Sequence, residues 1–165
     1  MQNQRIGNTP EERYQNIRGW LLLVAVGVIL LPLQVVGTLA VDLLPAFSKD
    51  GWALLTTPGT PVYHPLNAPI LIFELGGNIL LLVGALAVAV EFFRKRKRVP
   101  LMIVVLLLFA LLFYVGDYFA AHLLAAVASQ GESEPVLDLA IAAVACGILV
   151  WYFLVSKRVK GTFVH

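Results

Sequence analysis

The chain has 165 residues, of which 59% are hydrophobic and only 13% are charged, and its mean hydropathy is +0.85. This balance lies far outside that of a soluble domain, so it excludes a soluble globular protein and indicates an integral membrane protein. The formal net charge of +2 comes from cations that cluster at predicted helix ends, which indicates membrane topology and no nucleic-acid partner.

The first predicted helix covers residues 19–44 and reads GWLLLVAVGVILLPLQVVGTLAVDLL. A spanning helix needs about 20 mainly apolar residues, because the hydrocarbon core is about 30 Å thick. The apolar run is much longer than the roughly 7 to 15 residues of a signal-peptide core, so we expect a retained helix. At about 100° per residue, Gln34 shares a face with small residues, which predicts that it points into the bundle.

The first connection, residues 45–67, is long and contains Pro45, Pro58, Pro61 and Pro65. These prolines exclude a long helix and favour an extended path. The GWALL stretch fits a segment lying flat in the interface, with Trp52 as its aromatic anchor. The segment as a whole is interpreted as a lid over the bundle or as a functional loop.

The second predicted helix, residues 68–93, contains ELGGN in an otherwise apolar stretch. Glu74 and Asn78 are one turn apart on the same face, and Gly77 beside them lets a neighbouring helix approach. Buried polar side chains are costly in a membrane and therefore indicate either a site or hydrogen bonds between helices.

The second connection is a run of five cations, and cations in short loops are retained on the cytoplasmic side. They are also expected to contact anionic lipid headgroups, at about 1 kcal/mol for each cation near the surface. The same contact is expected of the cations that follow the fourth helix. The predicted headgroup contacts are Arg94, Lys95, Arg96, Lys97, Arg98, Lys157, Arg158 and Lys160.

The third predicted helix, residues 99–128, carries a polar stripe that consists of Tyr114, Asp117 and Tyr118. The two phenols can hydrogen-bond a carboxylate. His122 lies about 140° around the helix from Asp117, which argues against a shared site. The histidines and Cys146 show none of the spacings of a metal site, so no metal and no cofactor is expected.

The fourth predicted helix, residues 135–155, carries Asp138 on the same face as two alanines. The connection before it is short, so the second, third and fourth helices are expected to be antiparallel neighbours. Lysine and arginine gather before helix one, between helices two and three, and after helix four. The sequence thus predicts one all-α domain, 1–165, folded as an antiparallel four-helix membrane bundle with both termini cytoplasmic.

The polar side chains are predicted to meet in one recess that opens to the outside. Counting about 1.5 Å per residue places the carboxylates in the outer third of the hydrocarbon core. They cannot all stay ionised there without a cation, because burial and like-charge repulsion oppose it. The alternative is that they only form hydrogen bonds between helices. The predicted recess consists of Glu74, Asn78, Asp117, Asp138, Gln34, Tyr114 and Tyr118.

Three stretches carry a resemblance to a known family: RGWLLLVAVGVILLPL at 18–33, FELGGNILLL at 73–82 and WYFLVSKRVKGTFV at 151–164. They resemble the YdgK-like family of small four-helix bacterial inner-membrane proteins, whose function is not established. The similarity covers nearly the whole chain, and its most specific part is SKRVKGTF. The resemblance implies a multi-pass location in the bacterial inner membrane and supplies no catalytic residue.

Three function classes stay open from the sequence. The first is a non-enzymatic binding or accessory protein, whose recess holds a lipid headgroup, an ion or a helix of a partner or second copy. The second is an outer-face enzyme acting on a lipid-linked or hydrophobic substrate through Glu74, Asp117 and Asp138. The third is a small proton-coupled transporter subunit. No nucleophile-base pairing is present, so the first class is favoured.

Overall fold

The computed structural model describes residues 20–128, 135–156, 159 and 162, and these contain helices, turns and loops but no strand. The predicted all-α class is confirmed for this part of the chain. In chain order the elements are α1 (Trp20–Thr38), a π-helical turn (Leu39–Leu43), α2 (Leu44–Ala46), α3 (Lys49–Thr56), α4 (Asn67–Phe93), α5 (Val99–Ala128) and α6 (Pro135–Val155).

Three helical segments are long and apolar enough to cross a membrane: Leu21–Ala46, Asn67–Phe93 and Val99–Ala120. The first of them joins α1, the π-helical turn and α2 into one span. A shorter apolar helical segment, Leu139–Val155, lies in α6. Large apolar side chains cover the outside of these helices, and Val41 and Leu112 are 72% and 71% exposed. Such surfaces are stable in hydrocarbon and not in water, so the chain is a membrane protein.

The first span ends in a π-helical turn that the sequence pattern did not predict. The Leu44 N–H donates to the Leu39 carbonyl, which widens the helix by one residue. Pro45 follows directly, and its ring would clash with the carbonyl of residue 41 in a regular α-helix. The widened turn thus carries the helix to Ala46, two residues beyond the predicted end.

Helix packing follows chain order in the described part of the molecule. The closely packed long helices are α1 with α4, α4 with α5, and α5 with α6. The Cys146 thiol of α6 donates to the Leu107 carbonyl of α5 over 3.6 Å. Residues 94–98, called the basic loop below, connect α4 to α5 and make them antiparallel neighbours.

The main core cluster lies at the end of the bundle that carries the basic loop. Leu21, Phe92 and Val99 are almost fully buried there. They pack with the other members of the cluster: Ala25, Val28, Val88, Ile103, Val104, Phe153 and Val159. Most of the buried apolar side chains in the described residues therefore lie toward the basic-loop end, and the ELGGN stretch lies toward the other end.

The 45–67 segment is more ordered than the extended path predicted from its prolines. It contains the two-turn helix α3, which Ser48 caps by accepting a hydrogen bond from the Gly51 N–H over 3.1 Å. The Phe47 and Trp52 rings stack with their centroids 5.3 Å apart. The prolines exclude a long helix here, but they leave enough room for a short, capped one.

Candidate functional site

The interface between α4 and α5 is built by glycines that receive aromatic rings from the opposite helix. A Cβ on Gly77 would overlap the Phe113 ring, and one on Gly116 would lie 3.0 Å from the Phe73 ring. Phe73 and Phe113 also contact each other, with centroids 5.2 Å apart. Gly77 therefore makes room for a phenyl ring, which is how α5 comes close at this position.

This packing brings two carboxyl groups together. Glu74, one turn before Gly77, and Asp117, next to Gly116, lie close enough across α4 and α5 for their carboxyl groups to interact. A carboxylate only accepts hydrogen bonds, so the two side chains can hydrogen-bond each other only when the pair carries a proton. Both residues are partly buried, and the pair is the polar centre of the candidate site.

Asn78 lies beside the carboxyl pair and is buried, with 9% of its surface exposed. Its side-chain amide donates to the Glu74 backbone carbonyl over 2.9 Å. This bond ties the amide to its own helix, so its donor supports the local backbone of α4. The predicted closeness of Glu74 and Asn78 on one face is thus seen in the structure.

Tyr118 is next to Asp117 and partly buried, and its ring lies 4.2 Å from the His122 ring, centroid to centroid. His122 is one turn further along α5 and exposed. The sequence argument set His122 apart from Asp117 because of its angle around the helix. In the structure His122 reaches this region through Tyr118. The described residues contain no group of three or more side chains suited to hold a metal ion.

The other predicted members of the recess differ in their exposure. Gln34 is exposed on α1. Tyr114 is 38% exposed and does not share the burial of Asn78. Asp138 belongs to α6, but its side chain lies outside the described residues. Among the described side chains, the two neighbouring carboxyl groups come from α4 and α5.

Where α4 ends and the basic loop starts, two backbone N–H groups of the loop donate to carbonyls in the last turn of α4. The Arg96 N–H donates to the Glu91 carbonyl over 3.3 Å and the Lys95 N–H to the Phe92 carbonyl over 3.1 Å. Lys95 has a φ of 54°, and this pattern ends many helices. In this turn the Arg96 Nε lies 4.0 Å from the Glu91 carboxylate. Arg94, Lys97 and Arg98 are exposed, as headgroup contact requires. Lys157, Arg158 and Lys160 lie outside the described residues.

Asn67 is a structural residue that the sequence reasoning missed. It is 8% exposed, and its amide donates to the Leu55 carbonyl over 2.9 Å and to the Val62 carbonyl over 3.0 Å. These two bonds hold the 45–67 segment against the start of α4. The sequence did contain a signal for this role, namely a polar amide at the start of an apolar helix, directly after a proline-rich stretch.

Comparison with known proteins gives one family match. The family model described as "Protein of unknown function (DUF2569)" matches residues 14–164. No curated protein matches the chain, and no solved structure matches it.

Proposed function

The chain belongs to the DUF2569 family of proteins of unknown function, and from that premise we propose that it is a non-enzymatic binding or accessory protein of the membrane. In this proposal all four long helices span the bilayer as one domain. Both termini and the basic loop face the cytoplasm, and the 45–67 segment faces outward. The resemblance of the 151–164 stretch to YdgK-like proteins supports a bacterial inner-membrane location.

The Glu74–Asp117 pair carries the proposal. Two carboxyl groups in contact within a membrane need a compensating positive charge, because desolvation and mutual repulsion oppose two ionised groups. In this proposal a proton shared between the two carboxyl groups supplies that charge when no ligand is bound. A cationic ligand replaces that proton when it binds, so the site is suited to an inorganic cation or to the ammonium group of a lipid headgroup.

The position of the pair supports a ligand that arrives from the side opposite the basic loop. Glu74 and Asp117 lie toward the end of α4 and α5 that carries the 45–67 segment. The only cation in that segment is Lys49, which leaves little competing positive charge. Asn67 holds the segment over the start of α4, where it acts as a cover beside the site.

The test compares the site variants Glu74→Gln and Asp117→Asn with Asp42→Asn, which neutralises an exposed carboxylate on the π-helical turn. Thermal unfolding of the purified chain in detergent is followed with added phosphatidylethanolamine, phosphatidylglycerol or calcium chloride. Phosphatidylethanolamine or calcium is expected to raise the melting temperature of the wild type and of Asp42→Asn, because binding stabilises the folded state. Neither site variant should respond.

Two results contradict the proposal. In the first, the site variants respond to each addition as the wild type does. In the second, no addition stabilises the wild type, while both site variants are less stable under every condition. The second result assigns the pair to hydrogen bonding between α4 and α5 alone.

A further inference from the structure

A cavity of about 370 Å³ lies among α1, α4, α5 and α6, away from the carboxyl pair. Its walls have no charged side chain and no side-chain hydrogen-bonding group among the lining residues. Four of these are Gly27, Val88, Ile103 and Phe153, one from each helix. A partly open apolar space in a membrane protein is suited to a hydrocarbon group.

The cavity lies close to the basic loop. Along α4 the wall begins at Val88, six residues before Arg94, and along α5 it begins at Ile103, five residues after Arg98. At 1.5 Å per residue these separations are about 8 to 9 Å. The acyl chain of a lipid whose headgroup lies at the loop passes through this depth.

The cavity opens toward the bilayer. Leu23 lines it and is 58% exposed, and Leu149 on α6 is partly exposed. In the described residues α1 and α6 are at the two ends of the row of packed helices. An acyl chain can therefore enter sideways between them, while Phe92 and Val99 fill the bundle on the basic-loop side.

The charge beside the cavity identifies the class of lipid. Arg94, Lys97 and Arg98 are exposed in the basic loop, at the same end of the bundle. Among the described residues near the basic loop, Glu91 is acidic, and its carboxylate lies 4.0 Å from the Arg96 side chain. The net positive charge attracts an anionic headgroup.

The size of the cavity also favours a lipid chain. A neighbouring helix is about 10 Å wide or more, which is too thick for the cavity.

We propose that the cavity and the basic loop form one site for an anionic phospholipid, with an acyl chain in the cavity and the phosphate on Arg94, Lys97 and Arg98. The site is independent of the carboxyl pair. It assigns to the basic loop a defined ligand beyond a general attraction to the membrane surface.

Gly27 offers a direct test of the acyl-chain half of the site. It lines the cavity, and a Cβ placed on it meets nothing within 4 Å, so there is room for a side chain to start there and Gly27→Leu is expected to fill part of the space. Gly147 on α6 also has open space around it but is not among the lining residues. Gly147→Leu is therefore the matched control.

The purified full-length chain is titrated with phosphatidylglycerol and with phosphatidylcholine, and bound lipid is counted by native mass spectrometry. The wild type and Gly147→Leu should bind phosphatidylglycerol more tightly than phosphatidylcholine. Gly27→Leu should bind both lipids about tenfold more weakly, the effect of losing the burial of about two methylene groups. Its melting temperature without lipid should not fall, which separates lost binding from lost folding.

The headgroup half is tested with the double variant Lys97→Gln and Arg98→Gln. Phosphatidylglycerol binding should weaken about 30-fold and depend less on salt, because only Arg94 of the three phosphate contacts is left, whereas phosphatidylcholine binding should stay the same. Lys49→Gln, at the opposite end, is the control and should bind like the wild type.

The proposal is wrong if Gly27→Leu and Gly147→Leu bind lipid equally well, or if the wild type does not distinguish the two lipids. It is also wrong if Gly27→Leu changes only the oligomeric state, because the cavity then receives a second copy of the chain.

Discussion

At the scale of single residues, Gly77 and Gly76 are neighbours with opposite environments. A Cβ on Gly77 overlaps the Phe113 ring, whereas one on Gly76 meets nothing within 4 Å. Both substitutions to alanine change the intrinsic helix propensity by the same amount. The difference between the unfolding free energies of the two variants therefore measures the cost of the clash with the ring. We expect Gly77→Ala to be less stable than Gly76→Ala by about 1 to 3 kcal/mol, the usual cost of overpacking.

Thermal or denaturant unfolding in one detergent measures this difference. Adding Phe113→Leu to Gly77→Ala should restore part of the stability, because the smaller side chain frees the space. Equal stability of the two alanine variants would show that the ring moves aside at no cost.

Tyr152 provides a second prediction at this scale. Its hydroxyl is buried and has no hydrogen-bond partner among the described residues. An unsatisfied buried polar group costs about 1 to 3 kcal/mol, so Tyr152→Phe should raise the melting temperature. Tyr114→Phe removes an exposed hydroxyl and should change little. A lower melting temperature for Tyr152→Phe would mean that the hydroxyl bonds to a lipid, to water or to a residue outside the described part.

At the scale of elements, the 45–67 segment depends on a few polar contacts rather than on apolar burial. The Asn67 amide donates hydrogen bonds to two backbone carbonyls of the segment, and the Thr60 hydroxyl donates to the Leu54 carbonyl over 2.6 Å. None of the residues of α3 is buried. The segment should therefore open locally before the helices of the bundle separate.

Asn67→Ala tests this dependence. Both hydrogen bonds are lost, at about 1 kcal/mol each, so amide hydrogen exchange in residues 49–66 should become faster while exchange in α4 and α5 stays slow. Gln34→Ala, which removes an exposed amide from α1, is the control. Unchanged exchange in the segment would show that other contacts hold it in place.

At the scale of the whole molecule, the distribution of cations predicts the orientation. A cysteine replaces Ser48 or Lys97, both exposed, in a chain whose buried Cys146 is changed to alanine. In intact cells a membrane-impermeant maleimide should label position 48 and not position 97. Labelling at 97 and protection at 48 would reverse the orientation and place the carboxyl pair on the cytoplasmic side.

The sequence by itself determined the class of the molecule and the places where its apolar helices lie. The second helix was predicted at 68–93 and α4 runs from Asn67 to Phe93, because bilayer thickness and the need to satisfy every backbone group leave few alternatives. It also indicated that Glu74 and Asn78 share a face, since the helical period fixes angles within one helix.

Contacts between helices were decided only by the tertiary structure. The Phe113 ring beside Gly77, the outward Gln34 and the Asn67 bonds to Leu55 and Val62 all depend on how the elements are rotated and aligned against each other. A helix that is apolar on every side gives only a weak signal of which face packs. The meeting of Glu74 with Asp117, more than 40 residues apart, therefore follows from the fit of glycines to aromatic rings between α4 and α5.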